Sequence, residues 1–245
     1  MNLLVSDFDG TFYTSDRNIK INVRKIREFI EQGNVFMLSS GRSYNSLKSK
    51  IDEYKIPYSY MATEDGSHLF DNKGVLLAED LMDQSIIEEI NSIKRLNRHK
   101  GMQYGTTREY LDNDPKKDNV SSINFIIDDN MINKSFNNEW YKLKNKYNDK
   151  YEFLIYGYNG VYYYCIKDKG IDKSRPVYNL SKILGLDKNN IFTIGDGDND
   201  LPMIVDYNGF MIGDNESLKR CALKCYNNVY ELVDDINNQK VKRRW

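Results

Sequence analysis

Carboxylates gather in two short segments of this sequence. Asp7-Phe8-Asp9-Gly10-Thr11 sets two acids two positions apart beside a glycine, and Gly195-Asp196-Gly197-Asp198-Asn199-Asp200 sets three acids at alternate positions. Carboxylates held close repel one another unless a cation or a proton intervenes. An oxygen-rich cluster of this kind suits a hard cation such as magnesium, which commonly keeps waters and a substrate phosphate among its ligands. Taken alone, Asp7–Thr11 reads equally well as a solvated Asp-Gly turn, and the second acidic segment shifts the balance. Asp196-x-Asp198-x-Asp200 also matches the opening of an EF-hand loop. Leu201 at the glycine position and Tyr207 at the terminal Glu position rule that loop out.

Other chemistries find little support. There is no GxxxxGK[ST], HExxH or GxSxG segment, and Gly195-Asp196-Gly197 is too short for a dinucleotide fingerprint. His68 and His99 stand apart from each other and suit surface or packing roles. Cys165, Cys221 and Cys225 contain no CxxC pair and read as reduced thiols rather than zinc ligands.

The elements that must position the acids follow from the apolar pattern. Leu3-Leu4-Val5, Val35–Leu38 and Ile191–Ile194 are short apolar runs of the kind found in buried strands. Each is followed directly by a polar segment: Asp7–Thr11, Ser39-Ser40-Gly41-Arg42 and Gly195–Asp200. Ligands of open parallel sheets bind beyond the carboxyl ends of the strands, so three such segments are expected to converge on one crevice. Between these strands, Val23, Ile26, Phe29 and Ile30 follow helical spacing with Gly33 as a stop, and Leu47 with Ile51 marks a second helix. Tyr58–Ala62 is expected as a third strand. After Lys169, a helix opens at Ser174 and Pro176 and closes at Gly185, a strand covers Phe210–Ile212, and a helix runs from Asn215 to about Ala222.

Around residue 81 the pattern changes. Ile86, Ile87, Ile90 and Ile93 form a helical stripe after Asp83, a candidate N-cap. Strands are expected at 102–106 and 121–127, with a polar loop at 108–119 between them. Phe136, Trp140, Leu143 and Tyr147 give a second helix, and strands at 151–156 and 161–166 flank Gly157-Tyr158-Asn159-Gly160, a hairpin signal. Tyr104, Tyr156, Tyr158 and Tyr162–Tyr164 could stack on a ring, although aromatic residues on strands more often fill cores or sheet faces.

With 245 residues, 40% of them hydrophobic and 29% charged, the chain suits one large or two modest globular domains. Thirty-five basic residues against 36 acidic ones leave a formal charge of −1, so nothing draws the molecule towards nucleic acid or an anionic membrane. No apolar run approaches the ~20 residues of a membrane helix. The first residues carry no basic n-region, and a cytoplasmic location is expected. The basic tail from Lys240 is expected to be a solvated end.

Four segments taken in order, Asp7–Thr11, Ser40-Gly41-Arg42, Gly170-Ile171-Asp172-Lys173 and Gly195–Asp200, resemble the ordered motifs of the haloacid dehalogenase superfamily, and most closely its Cof-type phosphatases. The resemblance implies an α/β fold: a Rossmann-like parallel-sheet core domain (residues 1–81 and 169–245) with an inserted α+β cap domain (residues 82–168). It further implies a phosphoric monoester hydrolase acting on a small phosphorylated metabolite, such as a sugar phosphate or nucleotide, with Mg2+ as cofactor. Asp7 would be the nucleophile and Asp9 the acid/base. Asp7, the Asp9 carbonyl, Asp196 and Asp200 would serve the metal, while Ser40, Gly41, Lys173 and Asn199 would hold the phosphoryl group. A phosphomutase or a non-catalytic phosphate-binding regulator are the alternatives. Thr63-Glu64-Asp65-Gly66 departs from the Asn-Gly-Ala usual in the group, and the cap is short for it. No feature of the sequence speaks to oligomeric state.

Overall fold

Strand β1 (Leu3–Ser6) is buried along its whole length, as a central strand covered on both faces must be. In the computed structural model, which describes all residues except 94, 95, 97–100, 113–119, 129–133, 159 and 245, the alternation continues through α1 (Asp16–Glu31), β2 (Val35–Ser39), α2 (Tyr44–Tyr54) and β3 (Tyr60–Thr63). Next come β4 (His68–Asp71), β5 (Leu76–Glu79), α3 (Gln84–Ser92), β6 (Met102–Thr106), β7 (Tyr110–Leu111), β8 (Val120–Asp128), α4 (Lys134–Tyr147), β9 (Tyr151–Tyr158) and β10 (Val161–Asp168). The chain ends with α5 (Ser174–Leu184), β11 (Ile191–Gly195), α6 (Leu201–Asp206), β12 (Asn208–Ile212), α7 (Glu216–Lys219), β13 (Cys225–Tyr226) and α8 (Val229–Asn237). His99, Asn159 of the expected hairpin turn, Trp245 and most of the loop expected at 108–119 lie outside the described residues. Two compact units result, Met1–Ala78 with Asp172–Trp245, and Glu79–Ile171.

The first unit holds an eight-stranded sheet in the order β13-β12-β11-β1-β2-β3-β4-β5. Neighbours from β13 to β3 are parallel. The chain moves outward from β1 to β3 on one side and from β11 to β13 on the other, so the order reverses between β1 and β11. Such a reversal opens a crevice at the carboxyl ends of the strands. Side chains alternate across this sheet. Leu4, Phe36, Leu38, Phe192, Ile194 and Phe210 pack with Ile19, Ile26, Phe29, Leu47, Leu232 and Val233 of α1, α2 and α8. On the opposite face, Leu3, Val5, Met37, Ile191 and Met211 meet Val177, Leu180, Met203, Ile204 and Leu218 of α5, α6 and α7.

Expectation and structure part company at the sheet edges. β4 runs antiparallel to β3, which the sequence reading did not foresee. Only Glu64–Ser67 separates the two strands, too short a link for the crossover that a parallel return requires. Strand β13 and helix α8 were also not expected, although Val229, Leu232, Val233 and Ile236 are all buried at helical spacing. Helix α7 stops at Lys219 rather than near Ala222. The basic tail is tied down: the Arg244 guanidinium donates to the carbonyls of Tyr207, Ile204 and Cys221, and its backbone N–H to Asn208 Oδ1. A solvated end is therefore incorrect for Arg244.

The second unit is a five-stranded antiparallel sheet, β7-β6-β8-β10-β9. Ile86, Ile87 and Ile90 of α3 and Phe136, Trp140 and Leu143 of α4 cover one face of it, against Met102, Tyr104, Ile123, Phe125, Phe153 and Tyr164. Tyr104 and Tyr164 are thus core residues, whereas Tyr156 and Tyr163 are exposed. Asp83 precedes α3 as expected, but its side chain makes no capping bond and pairs with Lys150 instead. Among the described residues, no helix is long and apolar enough to cross a membrane.

Candidate active site

Asp7, Ser40 and Asp196 each directly follow a parallel strand of the first unit's sheet, at the same sheet edge. Asp7 directly follows β1, and its N–H still donates to Ile194 O of β11 at 3.0 Å. The chain then folds back, with Phe12 N–H donating to Asp7 O and Tyr13 N–H to Phe8 O. Phe8 and Phe12 are fully buried on the α1 side of the sheet, which anchors the loop at both ends. Gly10 makes the turn possible. Its φ is +84°, and a Cβ there would lie 2.3 Å from Asp196 Oδ2, so only glycine lets the two acidic segments approach this closely.

Lys173, just before α5, ties the centre together. Its ammonium lies 2.6 Å from Asp7 Oδ1 and 2.7 Å from Asp200 Oδ1, and all three side chains are buried. The other oxygen of Asp200 accepts the N–H groups of Asp196 and Gly197, each at 2.9 Å, and closes the loop after β11. Thr11 Oγ1 donates to Asp196 Oδ1. Carboxylate oxygens of Asp7, Asp196 and Asp200 converge within 4.8 Å of one another.

The electrostatics favour a further cation. Burial pushes the Asp7 carboxyl well above its usual range, the Lys173 ammonium opposes this, and Asp200 and Asp196 add to the rise. Burial raises Asp196 as well, with the Thr11 hydroxyl opposing and Asp200 reinforcing. Burial alone would lower Lys173, but Asp7, Asp200 and Asp65 together outweigh it and hold the side chain as an ammonium. A single ammonium thus serves three carboxylates. Hard oxygen donors left short of positive charge fit a divalent cation.

Asp9 is placed differently. Both its oxygens accept from the Arg42 guanidinium, Oδ2 from Nε and Oδ1 from Nη2, each at 2.7 Å. Arg42 also lies over the Phe8 ring, 5.6 Å from its centroid, and donates to Ser46 Oγ. Ser40 is buried after β2 and accepts the Arg42 N–H on Oγ at 3.2 Å. Asn199 does not reach Lys173: its amide donates to Asp65 Oδ1 at 3.0 Å. Asp198 turns away to accept from Asn215 and does not belong to the converging triad. None of the three cysteines forms a disulfide. His68 is buried beneath the turn that follows β3, and neither ring nitrogen has a hydrogen-bond partner.

Sequence reasoning missed two site residues, Arg42 and Asp65, and both carried a readable signal. Arg42 and Lys173 are the only basic side chains in the four motif segments, so pairing each with a nearby acid is simple charge arithmetic. Asp65 follows the β3 run just as Asp7, Ser40 and Asp196 follow theirs, and the same positional rule includes it.

Residues 4–222 match the family model described as haloacid dehalogenase-like hydrolase. A Buchnera aphidicola (subsp. Schizaphis graminum) protein provisionally named a phosphatase is 26% identical over 220 residues, covering 82% of this chain and 80% of that one. The Bacillus subtilis 5-amino-6-(5-phospho-D-ribitylamino)uracil phosphatase YcsE is 23% identical over 208 residues, covering 82% of this chain and 79% of its own. Among solved structures, a haloacid dehalogenase-like hydrolase from Bacteroides thetaiotaomicron superposes with a TM-score of 0.78 at 20% identity, covering 96% of this chain and 99% of that one. At that identity the structural likeness speaks for the fold.

Proposed function

The chain belongs to the haloacid dehalogenase-like hydrolases and is a phosphoric monoester hydrolase, and from that premise we propose a magnesium-dependent phosphatase in which Asp7 is the nucleophile. The observation that supports this most is the buried Asp7–Lys173–Asp200 chain beside Asp196. It fixes one oxygen of Asp7 and leaves the residue at the carboxyl end of the central strand.

In the first half-reaction, an Asp7 carboxylate oxygen attacks phosphorus, the bond to the leaving oxygen breaks, and Asp9 delivers a proton to that oxygen. In the second, Asp9 takes a proton from water as it attacks the aspartyl-phosphate, the Asp7–phosphorus bond breaks, and inorganic phosphate leaves. Splitting hydrolysis in this way replaces one difficult step with two easier ones, and a positioned acid/base contributes ~10²–10⁴-fold. Because both Asp9 oxygens are engaged by Arg42, Asp9 must exchange that partner for the leaving oxygen. Ser40, the Gly41 amide and Lys173 would hold the transferring oxygens, with Asn199 at the margin. Asp7, Asp196, Asp200 and the Asp9 carbonyl would hold Mg2+, which when bound supplies positive charge to the phosphoryl oxygens.

The substrate we assign is a small phosphorylated metabolite, with its selection entrusted to the inserted unit expected at residues 82–168. The test is magnesium-dependent hydrolysis of an aryl phosphate by the wild type and by Asp7→Asn. Activity in the wild type alone is expected, and equal rates in both would sink the mechanism.

A further inference from the structure

The turn after β3 is held in an unusual backbone conformation. Glu64 and Asp65 have φ of 51° and 50°, and Gly66 follows at 106°. The left-handed region is unfavourable for an L residue, and it persists where the surroundings over-determine it. Here the Glu64 N–H donates to Arg42 O at 3.0 Å and the Asp65 N–H to Ser40 O at 3.1 Å. On the other side the turn abuts the residue before Lys173: a Cβ on Gly66 would lie 2.0 Å from Asp172 O.

This wedge aims the Asp65 carboxylate at the groups assigned to phosphate. Its Oδ1 accepts from Asn199 at 3.0 Å and lies 4.0 Å from the Lys173 ammonium. A Cβ on Gly41 would sit 3.2 Å from both of its oxygens. An ionised carboxylate only accepts hydrogen bonds, so Asp65 occupies the Asn199 amide, a donor that a phosphate would use. It also adds charge of the wrong sign. Among the described residues, Asp7, Asp9, Asp65, Asp196 and Asp200 gather around two cations, Arg42 and Lys173, so that even with a divalent metal these groups sum to a negative charge.

We propose that Asp65 weakens ground-state binding of phosphate at this site, so that inorganic phosphate is released readily. The idea rests on the phosphatase reading above. Asp65→Asn removes the charge while keeping an acceptor for Asn199, and asparagine tolerates the left-handed backbone. Asp65→Gly, which is at ease there, is the second variant should the first fold poorly.

The experiment titrates inorganic phosphate calorimetrically into magnesium-loaded wild type and both variants, and measures kcat and KM with p-nitrophenyl phosphate. Phosphate affinity is expected to rise ~10-fold in Asp65→Asn. KM should fall in parallel without a rise in kcat. Equal or weaker phosphate affinity, or no detectable binding in any of the three proteins, overturns the proposal. A wild type that fails to hydrolyse the ester instead sinks the Asp7 mechanism, while the calorimetric ratio still decides the role of Asp65.

Discussion

Lys173 is only 1% exposed and sits between two carboxylates. Removing one partner of such a buried group leaves uncompensated charge, at about 3–5 kcal/mol. Lys173→Met is therefore expected to lower the unfolding free energy by that order in metal-free protein, read by urea denaturation, and to reduce turnover severely. A variant as stable as the wild type would show that Asp7 and Asp200 do not depend on the ammonium. The Asp9–Arg42 fork is more exposed and makes a smaller contribution to stability. Asp9→Asn is expected to slow turnover by ~10²-fold or more while retaining magnesium affinity, since the Asp9 carbonyl remains. A loss of affinity as large as that of Asp196→Ala would contradict this division of roles. At this scale the sequence was legible in part: two acids two apart before a glycine and three acids at alternate positions pointed to a hard-cation site, whereas the role of each residue came from the family resemblance. Partner choice was not legible. That Asn199 answers to Asp65, and Asp198 to Asn215, depends on where distant loops come to rest.

At the scale of elements, the site depends on how its strands and helices are braced. Asn22 is a buried amide on α1 that donates to Phe12 O at 2.8 Å and accepts the Tyr230 N–H at 3.0 Å. It ties the loop after β1 to the start of α8. Asn22→Ala leaves both backbone groups without that partner and is expected to cost ~1–3 kcal/mol, measured by thermal or chemical unfolding. His68 gives β4 a pH signature. Burial pushes its imidazole down to about 4 from an ordinary 6.5, so between those values the unfolded chain binds the proton and the folded one does not. Stability from this residue is present above that window and is lost as pH falls through it, by up to ~1.4 kcal/mol per unit. His68→Gln should flatten that part of the stability–pH curve, and an unchanged slope would contradict the assignment. Central elements such as β1, β2 and β11 were legible as unbroken apolar runs, because burial on both faces demands them. β4 was not, since its residues His68-Leu69-Phe70-Asp71 carry a histidine that reads as polar and is in fact buried. The stripe of α8 was readable and went unread, and Arg244 shows that a basic tail can be fixed by carbonyls rather than by acids.

The first unit places a doubly covered sheet behind one acidic crevice, and a ligand that binds only the folded crevice stabilises that unit. Magnesium is expected to raise the melting temperature of the wild type and to leave Asp196→Ala unmoved, as read by differential scanning calorimetry. The central claim remains that Asp7 carries the phosphoryl group. It is tested most directly by quenching the magnesium-loaded enzyme with acid during turnover of an aryl phosphate and sequencing its peptic peptides by mass spectrometry. The account predicts one added phosphoryl group on the peptide bearing Asp7, located on Asp7 itself and lost on longer incubation. A phosphoryl group on another residue, or full turnover by Asp7→Asn, would contradict it.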